Sequence, residues 1–257
     1  MSARVLTAEE LSKAVVFGDF MAVYKVDEKT VVKKGEGIRM AEAHAMRLVS
    51  EKTTVPVLEV FNAYTDPESG HVHIVMEFVE GDVLSNVWDK LNSDQQNEIT
   101  EQLRDYVSQL RQIKGSFIGS TDGTACEDQL FTDILGGYGP YENEKAFNQG
   151  IVTAFRNTSQ GGWIDLVCDM VLSLKDHEII LTHGDLSPRN IIVQGSKVKA
   201  VLDWEMTGYY PEYWEYAKAM YRLAWVESWI TGRNIEKIMD QYLSELAILL
   251  NVRTIVW

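Results

Sequence analysis

The chain of 257 residues is short of cysteine, of basic charge and of long apolar runs. Its two cysteines, Cys126 and Cys168, lie far apart. That excludes a disulfide framework and a cysteine-rich zinc site, and the expectation is two reduced thiols in a cytoplasmic protein. No apolar run approaches the roughly 20 residues of a membrane span. The opening "MSARVLTAEELSKA" has no unbroken apolar stretch, so a secretory signal is not expected. Lys and Arg number 24 against 38 Asp and Glu, a formal charge of −14. This balance argues against nucleic acid as a partner, because phosphate neutralisation needs a basic surface. It leaves a cationic small molecule open, although solubility alone is sufficient reason for it. Internal repeats, low-complexity tracts and linkers are also missing.

What is present is material for a core. Apolar residues make up 46%, with seven Trp and eleven Tyr. The length suits one large domain or two lobes sharing a cleft. The first ~90 residues read as strands around a single helix. "AVVF", "AVYKV" and "TVVKK" are short and Val-rich, with a hairpin turn at Asp27–Glu28. "RMAEAHAMRLVSE" is a helix with Ala41, Ala45, Leu48 and Val49 roughly on one side. "VPVLEVFNAY" and "HVHIVMEFV" are two further strands, separated by the loop "TDPESG".

The remainder is mostly helical. Ser93 and Gln96 match a capping box ahead of a helix marked by Ile99, Leu103, Tyr106, Val107 and Leu110, with Gly115 as its stop. "WIDLVCDMVLSLKDH" reads as a buried helix, "EIIL", "IIV" and "VKAVLD" as strands, and the chain from about Glu212 as helices. The two parts meet near "MEFVEGD", with Gly81 at the expected hinge. The division is 1–80 and 81–257. "GSTDGTACEDQL" and "GGYGPYENE" are polar or Gly-rich connections whose acids suit either an amine-bearing ligand or plain solvation.

Between "EIIL" and "IIV" stands "THGDLSPRN", Thr182 to Asn190. Alone, its Gly, Asp, Ser, Pro and Asn would make an ordinary turn. Asp203 changes its weight. The strands on either side of "QGSK" form a hairpin that returns Asp203 to Asn190. An amide oxygen and a carboxylate there suit a hard cation such as Mg²⁺. Asp185, in the loop before the hairpin, is placed to take a proton from an attacking hydroxyl. This H-x-D-x-x-x-x-N layout with a following Asp is used for phosphoryl transfer. Such a site also needs a strand lysine and a helix glutamate. "TVVKK" offers Lys33 or Lys34 on opposite faces, with Lys33 favoured. Glu42 is the natural partner and Glu51 the alternative. No G-x-G-x-x-G lies between the first two strands; "FGDFMAVYKV" has only Gly18. After "LDWEMTG" no A-P-E activation segment follows, and the chain is expected to enter a helix at "YYPEYWEYAKAM", which argues against a protein kinase.

Together "VVKKG", "EAHAM", "HIVMEFVEG", "HGDLSPRNIIV" and "VLDWEMTGYYPEYWEYAKAM" resemble the aminoglycoside phosphotransferase family, especially its fungal small-molecule branch. The resemblance runs from about Phe17 to Trp225, and choline and fructosamine kinases are relatives. It implies an α+β, protein-kinase-like, two-lobed fold: a small β-rich N-lobe with one key helix, and a larger, mainly helical C-lobe. It implies ATP and Mg²⁺ as cofactors and a small-molecule hydroxyl acceptor. Asp185 then positions the acceptor, Asn190 and Asp203 hold Mg²⁺, and Lys33, paired with Glu42, holds phosphate. Met76, Glu77, Phe78 and Val79 form the adenine-binding hinge. His183 belongs to the catalytic set as support for the loop. Glu205 assists a second metal through water or caps local structure, and Arg189 meets phosphate or an acid. The family's resemblance does not carry the acceptor's identity. A nucleotide-binding protein without phosphotransfer, or a cleft diverted to another reaction on a metabolite, has the same pattern. A monomer is the default expectation.

Overall fold

A computed structural model describes residues 4–17, 23–128, 139–221 and 227–252. The expectation at Gly18, the start of "GGYGPYENE" and the end of "LLNVRTIVW" lie outside these residues. Helix α1 (Ala8–Lys13) precedes β1 (Val15–Phe17), β2 (Val23–Lys25), β3 (Thr30–Gly35), α2 (Met40–Lys52), β4 (Val60–Thr65) and β5 (Val72–Glu77). The strands form one antiparallel sheet in the order β1-β2-β3-β5-β4. The N-terminal part therefore holds a second helix, α1, which its short polar run concealed. Thr7 and Glu10 cap it reciprocally. "VPVLEV" is extended before it is a strand; only Val57 makes a bridge, to Val201.

Alternation along β3 divides two cores. Val31 faces the main core, whereas Val32 joins Leu6 and Val75 on the other face. Helix α2 buries Ala41, Ala45 and Val49 as its pattern required, and Glu42 as well.

Past Gly81 the chain forms β6 (Asp82–Val83), α3 (Leu84–Val87), α4 (Ser93–Gln112), β7 (Gly119–Ser120), α5 (Glu144–Thr158) and α6 (Gly162–Ser173). Then come β8 (Ile179–Thr182), β9 (Ile191–Gln194), β10 (Lys197–Val201), β11 (Gly208–Pro211), α7 (Trp214–Tyr221), α8 (Ser228–Thr231), α9 (Asn234–Ile238) and α10 (Leu243–Val252). The capping box of α4 lies one residue earlier than expected, on Asn92 and Gln95, because Asn92 has the extended backbone a cap needs. Helix α6 is half-buried, not buried: Val167, Cys168 and Val171 face inward, while Trp163, Leu166 and Leu172 are exposed. "YYPEYW" is not helical from its start. Gly208–Pro211 pairs with β7 and β8, and α7 begins only at Trp214. Two- and four-residue strands are too short for a periodic signal.

Aromatics fill the C-terminal core. Tyr210 stacks on Trp214 at 5.3 Å, and Phe147 meets Trp214 edge-on at 5.1 Å. Each such buried side chain contributes about 1.5–3 kcal/mol by transfer from water. Both cysteines are buried and unpaired with each other. Among the described residues no helix is long and apolar enough to cross a membrane.

Candidate active site

Lys33 sits in the central strand of the first sheet, paired with Val23 and Ile74. Its side chain is 5% exposed, and an ammonium so buried requires partners. Helix α2 supplies one: Lys33 Nζ donates to Glu42 Oε1 at 2.9 Å. Of the two lysines and two glutamates the sequence offered, Lys33 and Glu42 are the pair brought together. Lys34 lies over the Tyr24 ring at 4.9 Å, and Glu51 is 72% exposed.

The segment after β8 is held by its backbone. Glu215 of α7, fully buried, accepts the N–H of His183 at 2.6 Å and of Gly184 at 3.3 Å. Burial raises the Glu215 carboxyl above its ordinary range, opposed by the His183 and Gly184 N–H groups it accepts. His183 is buried with both ring nitrogens engaged. Its Nδ1 faces the Asp185 N–H at 3.1 Å and its Nε2 faces the Leu202 carbonyl at 3.0 Å. A backbone N–H can only donate and a carbonyl can only accept, so the ring is the neutral Nε2–H tautomer. It fastens the loop and has no free nitrogen for proton transfer. Gly184 has φ +84°, and a Cβ there would lie 2.8 Å from the Met206 carbonyl oxygen, so no other residue fits. Asn190 closes the loop by donating to the Asp185 carbonyl and carboxylate, both at 2.9 Å.

The hairpin then returns as the sequence required. Gln194 pairs with Lys197 and Ile191 with Val201, and Leu202 N–H donates to Asn190 O at 2.7 Å. Asp203 follows in the left-handed region, φ 63°, which Asp tolerates better than most residues. Trp204 anchors this corner, donating to Val201 O at 2.8 Å with its ring centroid 4.5 Å from that of His183. Lys33 Nζ also donates to Asp203 Oδ1 at 2.9 Å and Glu205 Oε2 at 3.1 Å.

One ammonium thus faces three carboxylates. Desolvation pulls Lys33 down, but Glu42, Asp203 and Glu205 outweigh it and hold it above its usual value. Burial pushes Glu42 and Glu205 up, against the pull of Lys33. The negative excess opens onto a cleft of about 500 Å³ bounded by both parts of the chain. Val23, Val31 and Met46 line one side of the cleft, Ile192 and Leu202 another, and residues 76–81 its edge. Within that edge the N–H groups of Glu77 and Phe78 already donate to Glu59 O and Lys29 O. Val79 N–H has no partner among the described residues.

Asp185, 8% exposed, is at the loop, and Asn190 and Asp203 line the cleft. Glu205 is on Lys33. Arg189 is elsewhere: it is exposed and lines a separate cavity of about 280 Å³ with Asp89 and Glu227. The loop acids are engaged, Glu127 with Arg39 at 2.8 Å and Asp128 with Lys218 at 2.8 Å. Sequence reasoning missed Glu215, whose place in "YWEYAK" looks like any helix carboxylate.

The phosphotransferase enzyme family model matches residues 23–247. The chain belongs to that family. No curated protein sequence matches it. Solved phosphotransferases share its fold: ADP-bound aminoglycoside phosphotransferase APH(2'')-Ib is 15% identical with a TM-score of 0.64, covering 98% of this chain and 91% of its own. The streptomycin–ATP ternary complex of APH(2'')-IIa is 14% identical with a TM-score of 0.63, covering 99% and 91%. The gentamicin complex of APH(2'')-IIa is 16% identical with a TM-score of 0.62, covering 96% and 87%. The fold is protein-kinase-like, with an antiparallel sheet in its N-terminal part and a helical remainder. The cleft lined by Lys33, Glu42 and Asp203 draws residues from both of these parts.

Proposed function

We propose that this phosphotransferase moves the terminal phosphoryl group of ATP, with Mg²⁺, to a hydroxyl of a small molecule. The observation that carries the reading is the meeting of Lys33 and Asp203 at 2.9 Å across 170 residues of chain, with Glu42 and Asn190 at the same cleft. The ATP and ADP complexes among the fold's relatives support the nucleotide. The lobes are 1–80 and 81–257, joined at Gly81, where a Cβ would lie 2.7 Å from the Val193 carbonyl oxygen. Val79 N–H is the hinge donor for adenine, and Val31 and Ile192 sandwich the base.

The donor set fits Mg²⁺. Asp203 Oδ1 is on Lys33, but its other oxygen and the side-chain amide oxygen of Asn190, Oδ1, have no partner among the described residues. One carboxylate and one neutral oxygen, completed by phosphates and water, is how Mg²⁺ is usually held. Among the described residues no cluster of three or more His, Cys, Asp or Glu offers an all-protein cage instead. The ion, when bound, would neutralise phosphate charge. Lys33 holds phosphate oxygens in a fixed place, and Glu42 keeps Lys33 extended toward them. Asp185 aligns the acceptor hydroxyl and accepts its proton. Asn190, donating to the Asp185 carboxylate, fixes the angle of that base. Most of the rate in such a site comes from preorganised charge.

A screen of hydroxyl- and amine-bearing metabolites for acceptor-dependent ADP release tests the reading. Release with at least one acceptor, lost in Asp203→Ala, supports it. Tight Mg²⁺-ATP binding with no turnover of any acceptor would favour a nucleotide-binding protein without phosphotransfer.

A further inference from the structure

The helix that carries Glu42 is gripped from the other part of the chain. Arg39, at the N-cap of α2, has no side-chain role in capping the helix. Its guanidinium reaches instead into the loop after β7. There it donates to Glu127 at 2.8 Å, Thr124 Oγ1 at 2.7 Å and Ala125 O at 3.0 Å. One turn on, His44 Nδ1 meets Thr121 Oγ1 of the same loop at 3.0 Å. Glu42 lies between these two attachments, and its own N–H donates to Arg39 O at 3.2 Å.

The loop is firmly held at its other end. Ser120 Oγ donates to Ala125 O at 2.7 Å, and Tyr210 hydroxyl to Glu127 O at 3.4 Å. Asp128 forms an ion pair with Lys218 of α7, whose side chains are 0% and 4% exposed. Lys218 stands one turn beyond Glu215, the residue that accepts the backbone of His183 and Gly184. One helix therefore holds the catalytic loop with one residue and the strap with another.

We infer that residues 119–128 are a strap that sets the position of Glu42, and through it of Lys33, with Arg39 as the positioning residue. This rests on the reading that Lys33 holds nucleotide phosphates. A guanidinium with three oxygen partners fixes orientation as well as distance, which a single ion pair cannot do. Loosened, α2 turns Glu42 off Lys33, and the ammonium relaxes onto Asp203 and Glu205, away from the phosphates. The strap thus acts on phosphate recognition first, since α2 adds only Met46 to the apolar side of the cleft.

The test uses the intact chain with Mg²⁺ present. Affinities for ATP and for adenosine are measured by calorimetry in wild type, Arg39→Ala, Arg39→Lys, Glu127→Gln and Lys33→Ala, together with amide exchange across residues 40–52. Arg39→Ala is expected to weaken ATP about tenfold, within the range by which residues remote from a ligand modulate it, with a much smaller loss for adenosine and faster exchange in α2. Glu127→Gln removes the negative charge opposite Arg39 at a residue 44% exposed, and so tests the same point in a variant with little at risk in its fold. It and Arg39→Lys, which keeps the charge but not the fork, should fall between. Unchanged ATP affinity and exchange in both Arg39→Ala and Glu127→Gln overturns the strap. So does an equal loss of ATP and adenosine, which marks general loosening. If wild type prefers ATP no more than Lys33→Ala does, the reading of Lys33 fails instead. The exchange data then decide alone: faster exchange supports the strap and unchanged exchange overturns it.

Discussion

The two walls of the cleft are made differently. The wall proposed to receive adenine is apolar, from Val23, Val31, Met46, Ile192 and Leu202, and it is held by strand register and packing. The wall proposed to face the phosphates is polar, and each group has a named partner on another element: Glu42 for Lys33, Glu215 for the loop backbone, Leu202 O for His183. Apolar surfaces accept substitutes of similar volume, because dispersion and water exclusion are not directional. Buried hydrogen-bonded groups do not, because removing one partner strands the other.

Substitutions in the two walls should therefore separate by size. The largest effect is expected from Asp203→Ala, which removes a carboxylate from the metal pair: acceptor-dependent ADP release should fall by about 10³-fold or more. Asp185→Asn follows, with turnover down roughly 10²–10⁴-fold and ATP affinity nearly unchanged, measured by titration beside the rate assay. Glu215→Ala should cost about 3 kcal/mol in urea unfolding, since the buried N–H groups of His183 and Gly184 lose their acceptor. A loss as small as that of an apolar substitution would erase the contrast drawn here. On the adenine side, Val31→Ala should weaken ATP by only about 1 kcal/mol. Smallest of all is the thiol chemistry of Cys126. Burial raises its pKa to about 12, so the native protein stays in the neutral thiol form at pH 8 and labels only as the pH nears that value or the chain unfolds. Rapid labelling of native Cys126 at pH 8 would show that this core opens.

The contrast also accounts for what the sequence disclosed. Local geometry was legible. Strand alternation singled out Lys33 from Lys34, and the two-residue turn at Gly195 and Ser196 forced Asn190 and Asp203 together. Glu42 was legible too, as the partner of Lys33, but the neighbours that hold the loop after β8 and the strap were not. Glu215, Glu127 and Asp128 are acids in runs that read as solvent-facing, and only tertiary contact shows them engaged. Strands β7 and β11 escaped notice for another reason: pairing with each other and with β8 stabilises them, not any alternation of their own. The half-exposed face of α6 fell between these cases, since an apolar run does not say which of its sides is covered.

Strand β6 leaves the hinge and pairs at once with β9, Asp82 with Val193 and Val83 with Ile192. The hinge edge and the Asn190 end of the cleft floor, proposed for adenine and metal, consequently lie on one three-stranded ribbon. At about 3.3 Å per residue, the spacing from hinge to metal is graduated by β9 like marks on a ruler. A one-residue insertion there would turn Asn190 to the opposite face as well as lengthening the scale. On the proposed reading, that ribbon fixes the distance between the base and the phosphates of the nucleotide.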